Sequence, residues 1–79
     1  MPYYAIRIKG PNEEADGDEI KETFRGREAD HTGSRNYVLV KHHKLKAAVK
    51  ARAEGLVTEG STVTVKRVSK KTYEWRSHQ

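Results

Sequence analysis

Two runs, YYAI at residues 3–6 and YVLV at 37–40, are the longest uninterrupted apolar stretches of this 79-residue chain, and each holds four residues. Neither approaches the roughly 20 apolar residues of a membrane-spanning helix. Their brevity points to short strands. YVLV is apolar on both faces that a strand presents, so residues 34–43 are expected to form a central strand covered on at least part of its second side. Residues 3–9, YYAIRIK, set Tyr4, Ile6 and Ile8 against Tyr3, Ala5, Arg7 and Lys9. That period of two predicts a strand with its isoleucine face inward.

Between and after these strands the pattern changes. In KHHKLKAAVKARAEG, residues 41–55, Leu45, Ala48, Val49 and Leu56 recur at spacings of three, four and seven, which predicts an amphipathic helix over 44–55. Gly55 stands where a left-handed C-terminal cap is expected. Arg52 projects into the apolar stripe and is expected to snorkel from the last turn. Residues 10–18, GPNEEADGD, read as an acidic loop. Residues 18–26 suit a short helix capped by Asp18, with Ile20 and Phe24 four apart and Gly26 ending it, although Ile20, Glu22 and Phe24 also share one face of a strand. The abundance of Glu, Lys and Arg favours the helix. A turn at Gly60 leads into a strand with Val63 and Val65 inward. SKK at 69–71 reads as a hairpin tip, TYEWRS at 72–77 as the returning strand, and 77–79 as a frayed tail.

The expected fold class is therefore α+β, one domain over residues 1–79. A small antiparallel or mixed sheet of about four strands would carry one amphipathic helix on one face, with a possible second short helix. Apolar and charged residues each make up 34% of the chain, too structured a composition for wholesale disorder but a thin core. Such a core supplies only roughly 3–5 kcal/mol of net stability, and a chain of this size rarely builds a deep pocket as well. Function is expected on a surface. The absence of cysteine excludes disulfides and thiolate metal sites. Nothing in MPYYAIRIKG resembles a signal peptide, so an intracellular, cytoplasmic, soluble protein away from membranes is expected.

Charge is unevenly distributed. Residues 1–33 carry eight acids against five bases, a net of −3, and residues 34–79 carry eleven bases against three acids, a net of +8. Unless the fold interleaves its halves, this makes a strong dipole that draws phosphate backbones or acidic proteins.

Candidate binding residues follow from that asymmetry. In the supposed hairpin at 65–77, Lys66, Arg67, Lys70, Lys71 and Arg76 surround Tyr73 and Trp75; bases of single strands stack on aromatic faces while cations track the backbone. Tyr73 and Trp75 equally suit core filling. At about 100° per residue, His43, Lys46, Lys50 and Glu54 line one helix edge, and its three cationic or potentially cationic groups can contact successive phosphates, as any solvated lysine face can. No cofactor and no metal site is expected. Asp16 and Asp18 lack the remaining ligands of a calcium loop, and His42 and His43 point to opposite faces of a strand. Catalysis lacks a signature: neither GxGxxG nor GxxxxGK[ST] occurs, and no spacing assembles an acid–base pair.

The sequence thus leads to a small non-enzymatic nucleic-acid-binding module of low sequence selectivity, for DNA or RNA. The alternative is a small inhibitor or adaptor of the kind that phages and mobile elements encode, such as an anti-CRISPR protein or polymerase inhibitor, docking on a larger nucleoprotein complex. A sheet face left bare by the helix would be the platform, carrying Arg7, Lys9 and some of the C-terminal bases.

Overall fold

A computed structural model describes residues 2–28, 35–42 and 44–77, without the side chains of Arg27, Glu28 and residues 75–77. Along the chain run β1 (Tyr3–Lys9), α1 (Glu13–Phe24), β2 (Arg27–Glu28), β3 (Tyr37–Lys41), α2 (Lys46–Glu54), β4 (Thr62–Val68) and α3 (Lys70–Ser77). Strands β3, β1 and β4 form an antiparallel sheet with β1 in the middle, and the two-residue β2 extends it beyond β3. Parallel strands β1 and β2 are thus separated by β3, and parallel β3 and β4 by β1. This is the split β-α-β arrangement, used by many unrelated proteins and therefore silent about function.

Alternation along the strands decides which side the helices cover. Tyr4, Ile6 and Ile8 of β1, Val38 and Val40 of β3, and Val63 and Val65 of β4 all point to one side. Ile20 and Phe24 of α1 and Val49 and Ala53 of α2 complete this core, so two helices lie on that face where the sequence led us to expect one. The opposite face holds a smaller cluster in which Tyr73 of α3 lies on Ala5 and Leu39. That contact is why YVLV is apolar on both sides. It answers to a helix rather than to another strand.

The largest departure from expectation is at the C-terminus, where α3 stands in place of a returning strand. Ser69 begins it, because its Oγ accepts the backbone N–H of Thr72 at 3.0 Å and so satisfies a donor the helix leaves open. Lys70 and Glu74 then pair one turn apart at 3.9 Å. Both are helix signals at fixed spacing, and they outweigh the alternation of TYEWRS.

The second departure is α1, which starts at Glu13 inside the stretch read as an acidic loop; Asp18 lies within the helix and caps nothing. Glu13, Glu14 and Asp16 fall in its first turn, where the helix dipole favours anions. Gly17 sits mid-helix because the backbone of Arg35 and Asn36 crosses it: a Cβ there would collide with the Arg35 carbonyl. The C-terminus closes at Arg25, which adopts φ 53° and ψ 40°, with the Gly26 N–H reaching the Lys21 carbonyl at 2.8 Å.

Helix α2 buries less of its stripe than its periodicity implies. Val49 and Ala53 are buried, Leu56 is half-buried, and Ala48 and Leu45 are exposed, Leu45 by 80%. Gly55 ends it with right-handed φ −74°, not a left-handed cap. Arg52 is exposed, and its guanidinium lies over the ring of Phe24, 5.0 Å from the centroid.

Candidate nucleic-acid interface

Residues opposed across an antiparallel ladder share a face. Arg7 opposes Tyr37 on β3 and Thr64 on β4, Lys9 opposes Thr62, Ala5 opposes Leu39 and Lys66, and Tyr3 opposes Lys41 and Val68. All of these stand on the side away from α1 and α2. Through Tyr73, α3 covers only the end of this face built from Tyr3, Ala5, Leu39 and Val68. The rest is open. Arg7, Lys9, Lys41, Thr62, Thr64 and Lys66 are exposed, and Tyr3 and Tyr37 are half-buried among them.

The aromatic rings order two of the cations. Arg7 Cζ lies 4.3 Å from the ring centroid of Tyr37, and Lys41 Nζ lies 5.9 Å from that of Tyr3. Tyr3 in turn packs on Tyr73 with centroids 4.9 Å apart and planes tilted by 43°. Four cations therefore stand around a shallow aromatic floor. Among the described residues of β1, β3 and β4 no carboxylate shares the face; Glu74, on α3 at its border, pairs with Lys70.

Acidic residues collect on the other layer. On α1, the Arg35 guanidinium reaches Glu14 at 2.9 Å and Asp18 at 3.1 Å. The hydrogen bonds from Arg35 hold the Asp18 carboxyl below its ordinary range, and those to Asp18 raise Arg35. Strand order does interleave the two halves of the chain, since β1 lies between β3 and β4. The helix layer is mixed in charge, since Arg67 and the lysines of α2 lie on it. Six of the eight acids of residues 1–33 nevertheless belong to α1, while Arg7 and Lys9 of the same half join Lys41 and Lys66 on the open face.

The residues singled out from the sequence are dispersed by this arrangement. Lys66 is on the open face, but Arg67, opposite Tyr4, falls on the helix-bearing side. Lys70 and Lys71 are exposed in the first turn of α3, at the border of the open face. Lys46 and Lys50 are exposed on α2, across the sheet from Lys66. Tyr73 is 7% exposed and belongs to the core. His43 and the side chains of Trp75 and Arg76 lie outside the described residues. Lys41, Tyr3 and Tyr37 were not singled out. Their signal is the phase of alternation: they are the residues of β1 and β3 out of step with the isoleucines and valines.

Among the described residues no group of three His, Asp or Glu side chains is placed to hold a cation. A shallow depression of about 420 Å³ between the start of α1 and Arg35 is lined without histidine. Comparisons of the chain with protein-family models, curated proteins and solved structures return no match. Function has to be argued from the open face itself.

Proposed function

We propose that the chain is a small, non-enzymatic nucleic-acid-binding module that lays a sugar-phosphate backbone along the open face of its sheet. One observation carries this reading: Arg7, Lys9, Lys41 and Lys66 stand exposed on that face, and no described carboxylate of β1, β3 or β4 stands with them. Cations without acidic partners attract phosphates in proportion to the counterions they release, with no demand on sequence. Same-face neighbours on one strand, such as Arg7 and Lys9, are about 6.8 Å apart. Lys66 continues the track on β4. Lys70 and Lys71 add to it from the first turn of α3, where they oppose the helix dipole, although Lys70 also pairs with Glu74.

The test is fluorescence anisotropy of labelled DNA and RNA over a range of salt. Each phosphate neutralised contributes about 0.7 to the logarithmic salt slope on single strands and about 0.9 on duplex DNA. Replacing Lys9 and Lys66 together by Gln is expected to weaken binding and reduce the slope by roughly 1.5. Replacing Lys46 and Lys50, on the far layer, should change it little. Equal effects of the two pairs would remove the open face from consideration. No binding at micromolar protein would leave the basic face to an acidic protein, the docking alternative.

A further inference from the structure

We infer that the open face selects single strands over duplexes, with one base stacked on the outer plane of the Arg7 guanidinium. This rests on the nucleic-acid reading and adds to it the class of strand and the residue that chooses it.

The argument begins with what holds Arg7. Its guanidinium carbon lies over a ring, 4.3 Å from the centroid of Tyr37, and no described carboxylate pairs with it. Tyr37 is half-buried and leans on the cluster of Ala5, Leu39 and Tyr73, so the floor beneath the guanidinium belongs to the core. Tyr37 supports the guanidinium from one side, and because Arg7 is exposed the other side is where a planar ligand would stack.

The comparison with Arg52 sharpens the point. Arg52 also lies over a ring, but its ring is Phe24, 7% exposed within the helix layer, and the contact seals the core. Arg7 lies on the bare side of the sheet. Beside it are Thr62 and Thr64, exposed hydroxyls that can donate to or accept from base edges, and Lys9 and Lys66, which can take the flanking phosphates.

Guanidinium planes and aromatic faces take bases only when those bases are unstacked. In a duplex the base faces are turned against one another, and a flat protein face meets phosphates alone. The electrostatic part of binding is therefore open to both forms of nucleic acid, and the stack is open to one. By alanine substitution a single stacking contact changes affinity by between about fivefold and a hundredfold. A preference for single strands of that order is the signature, and it belongs to the shape of Arg7 more than to its charge.

Arg7→Lys separates the two contributions, because it retains the charge and removes the plane. The probes are a fluorescein-labelled DNA of about twelve nucleotides, within the span of one small binding face, and the same strand annealed to its complement. Wild type is expected to bind the single strand roughly tenfold tighter. Arg7→Lys should erase most of that preference, leave the duplex affinity within about twofold, and keep the salt slope. Equal binding of both probes by wild type overturns the inference while sparing the nucleic-acid reading, as does an equal loss on both probes in the variant. Binding of neither probe overturns both.

Discussion

Asp16 and Thr58 stand 42 positions apart and are joined by two hydrogen bonds, from the Thr58 backbone N–H at 3.1 Å and from its hydroxyl at 3.0 Å. The Ser61 hydroxyl adds a third at 3.1 Å. Asp16 is 7% exposed, so the carboxylate read as part of a solvated acidic stretch is in fact a tie between α1 and the turn before β4. Asp16→Ala leaves the donors of Thr58 and Ser61 without their acceptor, at about 3 kcal/mol. Asp16→Asn retains one acceptor oxygen and should fall between. Urea unfolding followed by circular dichroism measures both, and a loss in the alanine variant below about 0.5 kcal/mol would show that the tie is idle.

Gly17→Ala reverses the sign usual for that substitution in a helix. In an exposed helix interior, Gly→Ala gains about 1 kcal/mol. Here the new Cβ would collide with the Arg35 carbonyl, which is backbone and cannot rotate aside. Gly17→Ala is therefore expected to destabilise by about 1–3 kcal/mol. A raised thermal midpoint would mean that α1 and the 35–36 segment do not touch at this glycine.

Asp16 and Gly17 also show where a sequence stops being legible. Asp-Gly-Asp is turn chemistry by local rules, and only the crossing of a segment some twenty residues away makes it a helix. Strands β1 and β4 were legible because they keep a period of two with one apolar phase, and β3 because its apolar run is short; both signals are set within each strand. The pairing that brings Lys66 beside Ala5 and Arg7 beside Tyr37 is set between strands, and nothing local to either partner encodes it. The fate of Ser69–Lys70–Lys71 turned on a choice between a hairpin tip and a capped helix. The Lys70–Glu74 spacing and the Ser69 cap both favoured the helix, and the alternation of Tyr73 and Trp75 concealed it.

Arg25 occupies the left-handed region, φ 53° and ψ 40°, one residue ahead of Gly26. A side chain there costs roughly 1 kcal/mol relative to glycine. Arg25→Gly is expected to stabilise by somewhat less, because glycine also loosens the unfolded chain. A rise of about 3–6 °C in the thermal midpoint is the corresponding signal for a domain of this size. A fall would mean that the Arg25 side chain makes a stabilising contact worth more than the backbone relief.

Acid should weaken the fold partly through Asp18. Its folded pKa is depressed from 3.8, chiefly by the hydrogen bonds from Arg35. A depressed carboxyl contributes stability that is fully present above its unfolded pKa and is lost as pH falls through the folded value. The wild type should therefore lose part of its stability as the pH drops from about 5 toward 3, and Asp18→Asn should show a shallower decline over that window. The pair is exposed, so the difference should shrink in high salt. Identical pH profiles for the two proteins at low salt would mean that the Arg35 contact does not persist in solution.

Tyr73 decides where the binding face ends. Its ring covers Ala5 and Leu39 and stacks on Tyr3, and its 7% exposure leaves no open plane for a base. Tyr73→Leu keeps an apolar plug of reduced area and should cost about 1–2 kcal/mol without unfolding the chain. Because Arg7, Lys9, Lys41 and Lys66 stay in place, its affinity for a single-stranded probe should remain within about threefold of wild type; the single stack it would remove, if Tyr73 carried one, is worth more. The stability and binding measurements must be read together. Lost stability with retained affinity assigns Tyr73 to the core and leaves the face to the cations of the sheet. Retained stability with a tenfold loss of affinity would place Tyr73 on the binding surface and move the boundary of the interface onto α3.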